Sequence, residues 1–229
     1  MSLPFHPEWI KFLQVVSVRT DDTWLFRGQT EAGWGLSPSA GRAKCVGPAG
    51  YRYEDERDLF YQFKREAVRY EDRVGTDLEW LALAQHHTLP TRLLDWSTNP
   101  LVAAWFACEN ESSTEPGAIH MINVPADKRL EHVLIPDPFD RRLSNVMLIQ
   151  VPPRVGRITA QQGLFSLHPD PTLDWKPGPS LSYDTFPIPV AAKPFFRQAL
   201  HAFGINRGRL MVDLDSLCAT LSWKYRTRS

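Results

Sequence analysis

Apolar residues recur along the chain at two periods, and each period predicts a different element. Trp9, Ile10, Phe12, Leu13 and Val16 fall at the spacing of one helix face, so residues 7–19 are predicted to be a helix. Trp24-Leu25-Phe26 reads as a short strand. Residues 28–53 are crowded with Gly, Ser and Pro and predict a long loop, a length that is uncommon in compact domains and often functional. Residues 54–73 form a charged amphipathic pattern with Leu59, Phe60, Phe63, Ala67 and Tyr70 on one face. Leu78 to Gln85 is a second, more buried helix, broken at Leu89-Pro90. Arg92 to Asp95 is a short strand, and Ser97-Thr98-Asn99-Pro100 is a helix start, with a small polar cap and proline in the first turn. The run Leu101–Cys108 is nearly all apolar, which predicts a helix buried on most sides. Ala118–Val124 and Val146–Val151 alternate as strands. A loop over Pro169–Ser182 precedes a strand at Phe186–Val190, a helix at Pro194–Phe203 and a late strand at Leu210-Met211-Val212. Asp213 or Asp215 caps a last helix. Strands separated by uneven helices favour an α+β fold, a single mixed domain over 1–229, and no internal repeat is evident.

Composition narrows the class without naming a function. A chain of 229 residues with 43% hydrophobic and 23% charged positions has the make-up of a soluble globular domain. Lys+Arg and Asp+Glu balance at 26 each, so no global field favours nucleic acid or an anionic membrane. Cys45, Cys108 and Cys218 are widely spaced and include no Cys-x-x-Cys pair, which argues against structural zinc and for a reducing compartment. The first dozen residues do not read as a signal peptide, and no stretch is long enough to span a bilayer. The expectation is a cytoplasmic protein with no membrane partner and no metal.

The candidate chemistry concentrates between Leu83 and Pro100, where Gln85, His86, His87, Arg92, Asp95, Trp96 and Ser97 sit between two apolar helices. Buried polar groups must find partners, so such a cluster is either a hydrogen-bond network or a site. Arg27, next to Gly28 and the long loop, is a candidate for anion recognition; the alternative is an ion pair to Asp95. His86 and His87 point about 100° apart on a helix, so one is a candidate contact or acid/base group and the other a C-terminal cap. Arg92 and Asp95 either pair with each other or serve the site. Ser97 lacks a Gly-x-Ser-x-Gly elbow and reads equally as a cap or a ligand contact. Arg157, Gln162 and Phe165 form a credible pocket wall.

Phe26-Arg27-Gly28, together with Gln85-His86-His87 through Thr91-Arg92-Leu93-Leu94-Asp95-Trp96, Asn99-Pro100-Leu101-Val102-Ala103 and Phe106-Ala107, resembles the FRG domain family, named for a Phe/Tyr-Arg-Gly motif. Arg157, Gln161-Gln162-Gly163 and Phe165 resemble a third family block and Leu210 to Leu217 a C-terminal one, so the resemblance spans 20–217. Thr88 stands where the family pattern implies Gly; a left-handed backbone there would strain it. A fainter similarity links Phe26-Arg27-Gly28 and Trp96-Ser97-Thr98 to ADP-ribosyltransferases of the Arg-Ser-Glu class. That similarity implies a split sheet with flanking helices, and NAD as the substrate. Arg27 would then hold pyrophosphate, Gly28 would admit the ligand close to the backbone, and Ser97 would bond nicotinamide or its ribose. Trp96 or Phe165 would stack on the ring, with Phe26, Gln29 and Arg92 completing the nucleotide contacts. The class also requires a late catalytic Glu, yet the last glutamate here is Glu131. Asp95, Asp213 or Asp215 must then supply the negative charge, because Gln162 can bond a hydroxyl but carries none. Arg27, His87, Asp95, Ser97 and Gln162 are thus the candidate catalytic set. The first reading is an NAD-dependent ADP-ribosyltransferase-like or NAD-hydrolysing enzyme, of a kind that suits a toxin or defence effector, acting on an unidentified protein or nucleic-acid acceptor. The alternatives are a non-catalytic nucleotide- or peptide-binding module and a hydrolase or nuclease using His87 and Asp95.

Overall fold

The computed structural model describes residues 6–71, 75–151, 163–211 and 213–227. Its frame is a seven-stranded sheet made of β1 (Trp24–Gln29), β2 (Leu93–Ser97), β3 (Gly117–Asn123), β4 (Arg129–Glu131), β5 (Met147–Gln150), β6 (Gly163–Leu167) and β7 (Tyr183–Ile188). The spatial order is β4-β5-β6-β2-β1-β3-β7. Every neighbouring pair is antiparallel except β4–β5. Helices α1 (Pro7–Ser17), α2 (Tyr53–Ala67), α3 (Asp77–His86), α4 (Pro100–Cys108), α5 (Lys193–Ala202), α6 (Arg207–Met211) and α7 (Leu214–Arg226) pack around it, so the α+β reading holds. Among the described residues no helix is long and apolar enough to cross a membrane.

The sheet is joined weakly at its middle. β1 pairs with β3 from Trp24↔Asn123 to Gln29↔Ala118, and β2 pairs with β6 from Leu93↔Leu167 to Ser97↔Gly163. β1 and β2 share the single register pair Phe26↔Ser97. Beyond it the two strands diverge, and the backbone groups of Arg27 and Gly28 do not ladder onto Asp95.

Strand alternation explains how each half is covered. Phe26, Ile119, Met121, Phe186 and Ile188 face one side and pack against Trp9 and Phe12 of α1, Ala103 of α4 and Phe196 of α5. Leu93, Ile149, Phe165 and Leu167 bury against Phe60 of α2 and Leu81 of α3. On the opposite face Leu25, Leu94, Trp96 and Ile122 are covered by Leu36 and Trp175 from two long loops.

Helix α4 lies closest to the sheet. Asn99 caps it by accepting the Leu101 N–H at 2.9 Å, and Pro100 opens it. A β-carbon on Gly28 would lie 1.9 Å from the Ala103 carbonyl oxygen, and one on Gly117 would lie 2.4 Å from that of Ala107. Glycine on two strands and alanine on the helix therefore bring backbone against backbone.

Several boundaries and three elements differ from the sequence expectations, which contain neither β4 nor β6 and place a strand where a helix stands at Leu210-Met211. Leu210 and Met211 belong to α6 rather than to a strand; Asn206 accepts the Arg209 N–H at 3.2 Å and starts a helical turn. Val212 lies outside the described residues. A three-residue apolar run cannot distinguish one helical turn from a strand. β1 continues to Gln29 and β7 begins at Tyr183, because both pair with β3 along that length, at Gln29↔Ala118 and Ile122↔Tyr183. Asp213 caps α7, accepting the Ser216 N–H at 2.7 Å. Thr88 has φ 66°, the left-handed conformation that the family pattern assigns to glycine.

Candidate functional site

Where β1 and β2 part, a cavity of about 120 Å³ opens between Arg27 and Gly28 on one strand, Asp95, Trp96 and Ser97 on the other, and the α4 residues Val102, Ala103 and Phe106. Ligand pockets for whole drug-sized molecules run to roughly 300–1,000 Å³. This hollow has room for one ring or one phosphate, with the rest of any larger ligand lying outside it.

Arg27 is the defining side chain. Its Nη1 donates to the Asp95 carbonyl oxygen at 2.9 Å and stands 3.8 Å from Asp95 Oδ2. Its Nε is buried and has no hydrogen-bond partner among the described residues. Burial pulls its pKa down to about 10, with Asp95 opposing that shift and Arg42 adding to it. The group is still a cation at neutral pH. A buried donor left without an acceptor costs about 1–3 kcal/mol. That cost is relieved by an anion placed against the guanidinium, whose fork suits phosphate or carboxylate.

Asp95 supplies the opposing charge. Gln85, in the last turn of α3, donates from Nε2 to Asp95 Oδ2 at 2.8 Å and to the Leu93 carbonyl oxygen at 3.3 Å. Its Oε1 accepts from the Thr91 hydroxyl, so both ends of the amide are fixed. The Asp95 side chain keeps 43% of its surface exposed, so the carboxylate faces both cavity and solvent. Ser97 Oγ accepts the Asn99 N–H at 3.0 Å, which builds the turn into α4 while the residue also lines the cavity.

The structure thus gathers Phe26, Arg27, Gly28, Asp95, Trp96 and Ser97 at one hollow. It corrects the roles of several of them. Gly28 is needed for the approach of α4, whose Ala103 occupies the space a side chain would take. Trp96 is 1% exposed, and its Nε1 donates to Ser166 Oγ at 3.0 Å; it forms a wall and has no free face for ring stacking. Arg92 does not reach the cavity: it is 1% exposed, and its Nε and Nη2 grip Glu56 at 2.9 and 2.5 Å, with the Phe139 ring 4.3 Å from its Cζ. It pairs with Glu56 rather than Asp95 and ties α2 to β2. Gln29 is buried, with Oε1 2.9 Å from His120 Nε2 and Nε2 bonded to the Gly35 carbonyl oxygen at 3.2 Å. Phe165 belongs to the core beneath α2 and α3. His87 caps the C-terminus of α3 in an exposed position and does not line the cavity. Asp213 caps α7, Asp215 is exposed on the same helix, and neither lines the cavity. Asp95 is the carboxylate that does. Arg157 and Gln162 lie outside the described residues.

Four contributors escaped the sequence reading. Gln85 stands in the polar cluster, but nothing in its spacing shows that it positions Asp95. Val102, Ala103 and Phe106 share one face of α4 at helical spacing, which a uniformly apolar run conceals. Among the described residues no group of three His, Cys, Asp or Glu is arranged to hold a metal.

Residues 22–115 match the family model of the FRG domain. The match includes every residue that lines the cavity. No curated protein and no solved structure matches the chain.

Proposed function

We propose that the split between β1 and β2 binds NAD as a substrate and that the chain is an ADP-ribosyltransferase-like or NAD-hydrolysing enzyme. The observation that carries this reading is the Arg27 guanidinium, its Nε buried without a hydrogen-bond partner among the described residues, facing the Asp95 carboxylate across a ring-sized hollow.

The chemistry needs both charges. Cleaving the bond between ribose C1′ and the nicotinamide nitrogen sends the electron pair to that nitrogen, which becomes neutral, and leaves positive charge on the ribose. Arg27 would hold the pyrophosphate, displacing its loose contact with Asp95. The freed carboxylate, still oriented by Gln85, would face the developing ribose cation. Nicotinamide would enter the hollow against Val102 and Phe106. Water attacking C1′ gives ADP-ribose, nicotinamide and a proton; a nucleophile of a protein or nucleic acid gives transfer instead. A toxin or defence effector acting in the cytoplasm is the setting that this reading suits.

The test is nicotinamide release from NAD by the wild type and by Asp95→Asn, which keeps shape and removes charge. Losing one preorganised electrostatic partner costs on the order of 100–1,000-fold in rate. A drop of that size with NAD affinity within a few-fold supports the assignment. Full activity in the variant refutes Asp95 as the catalytic residue, and failure of the wild type to release nicotinamide or bind NAD refutes the reading as a whole. NAD binding without turnover favours a nucleotide-recognition module, which the existing hold of Gln85 on Asp95 would suit.

A further inference from the structure

A second cavity, of about 230 Å³, lies on the other side of α4 among α5, α6 and α7. Successive helix residues point about 100° apart. Phe106 lines the split, and its neighbour Trp105 lines this second hollow. Trp223 of α7 forms the facing wall, backed by the His201 ring at 4.8 Å. Burial, then the Lys224 charge, push His201 below its ordinary pKa, so at neutral pH it adds a neutral ring to an aromatic surface.

The polar lining is cationic once internal pairs are removed. Arg207 is bonded to Glu109 at 2.8 Å. Arg197 donates from Nη1 to the Cys108 carbonyl oxygen at 3.0 Å, leaving its other donors for a ligand. Arg226 has no hydrogen-bond or ion-pair partner among the described residues, and Glu111 is the remaining acid at the rim. Guanidinium groups bind planar oxyanions through a two-pronged fork, and indoles offer faces to planar rings.

We propose that this cavity binds a small aromatic anion, with its ring against Trp105 and Trp223 and its phosphate or carboxylate held by Arg197 and Arg226. The volume fits a ring with one anionic group, and the chemistry is independent of whatever occupies the split.

The probes are AMP, a ring with phosphate, and anthranilate, a ring with carboxylate, titrated by calorimetry and by tryptophan fluorescence. Adenosine and inorganic phosphate each supply half of the recognition and are expected to bind at least about tenfold more weakly. Arg226→Glu changes an exposed side chain and should weaken the ring-bearing anion by about tenfold or more. Trp223→Phe should remove most of the fluorescence change, and Arg27→Met should leave binding at this cavity unaltered. Saturation by either ring-bearing anion with that variant pattern supports the site, and the stronger of the two identifies the anionic group. The proposal is overturned if neither saturates at millimolar concentration, if Arg226→Glu has no effect, or if Arg27→Met abolishes the binding, which would move the ligand to the split.

Discussion

Replacing Gly28 by alanine adds one methyl group, yet the structure gives it nowhere to go. The new carbon would sit 1.9 Å from the Ala103 carbonyl oxygen, 2.7 Å from the Ala107 nitrogen and 2.9 Å from the Ala103 carbonyl carbon, all backbone atoms that no rotamer change can move. Restoring a normal separation of roughly 3.5 Å requires α4 to retreat from β1 by about 1.5 Å. A gap of even 0.5–1 Å forfeits about a quarter to a half of each dispersion contact along an interface. Overpacking typically costs about 1–3 kcal/mol, and this collision belongs at or above that upper bound. For a chain of this size each kcal/mol lowers Tm by about 2–4 °C, so a fall of roughly 6–12 °C is expected. Thermal melting followed by circular dichroism reads it directly, with Gly33→Ala as the control: nothing lies within 4 Å of a β-carbon there, and its melt should match the wild type. A Gly28→Ala protein melting within about 2 °C of wild type would refute the claim that glycine is required here for helix approach.

Thr88→Gly removes a β-branched side chain from φ 66° and should raise stability by about 1 kcal/mol, seen as a Tm gain of roughly 2–4 °C; a lower Tm would show that Thr88 is unstrained. Glu56→Gln leaves the Arg92 guanidinium buried without its counter-charge and should cost about 3–5 kcal/mol in urea denaturation, whereas a loss below about 1 kcal/mol would contradict the tie between α2 and β2. His120 and His168 are held well below their ordinary pKa, at about 4 and about 3, by burial first and the Arg27 charge next. Both are therefore neutral in the folded state where the unfolded chain begins to bind protons. Their contribution is complete above the unfolded value of 6.5 and is lost as pH falls toward about 4 for His120 and about 3 for His168, with a slope approaching about 1.4 kcal/mol per pH unit for each. Urea midpoints between pH 7 and pH 4.5 should fall steeply, and His120→Gln should flatten the profile; an unchanged slope would sink that assignment.

The sequence carried the elements whose signals are local. Period and caps sufficed for α1, α4 and α7, where Trp9 and Phe12, Asn99-Pro100 and Asp213 act within one turn of themselves. The family pattern located the strain at Thr88 for the same reason. What it could not carry was pairing across distance. Arg92 and Asp95 are three residues apart and of opposite charge, yet they do not pair: Gln85 of α3 and Arg27 of β1 take Asp95. Glu56, 36 residues away, takes Arg92 instead. Gly28 looks like a glycine for ligand approach, and only the position of α4 shows that the close neighbour is another backbone. Arg27 and Asp95 converge as their place beside the family motifs implies, but the opening between them comes from the single shared pair Phe26↔Ser97, which no residue pattern encodes.

The claim on which the functional account rests is that Arg27 is kept for a ligand and not for the fold. Calorimetric titration of NAD into the wild type and into Arg27→Met, with both proteins melted in parallel, tests it most directly. The account predicts saturable binding to the wild type, a loss of at least about tenfold in the variant from the missing charge-assisted bonds, and a variant Tm at or near the wild-type value. Equal affinity in the two proteins, or a variant that no longer folds, would contradict it.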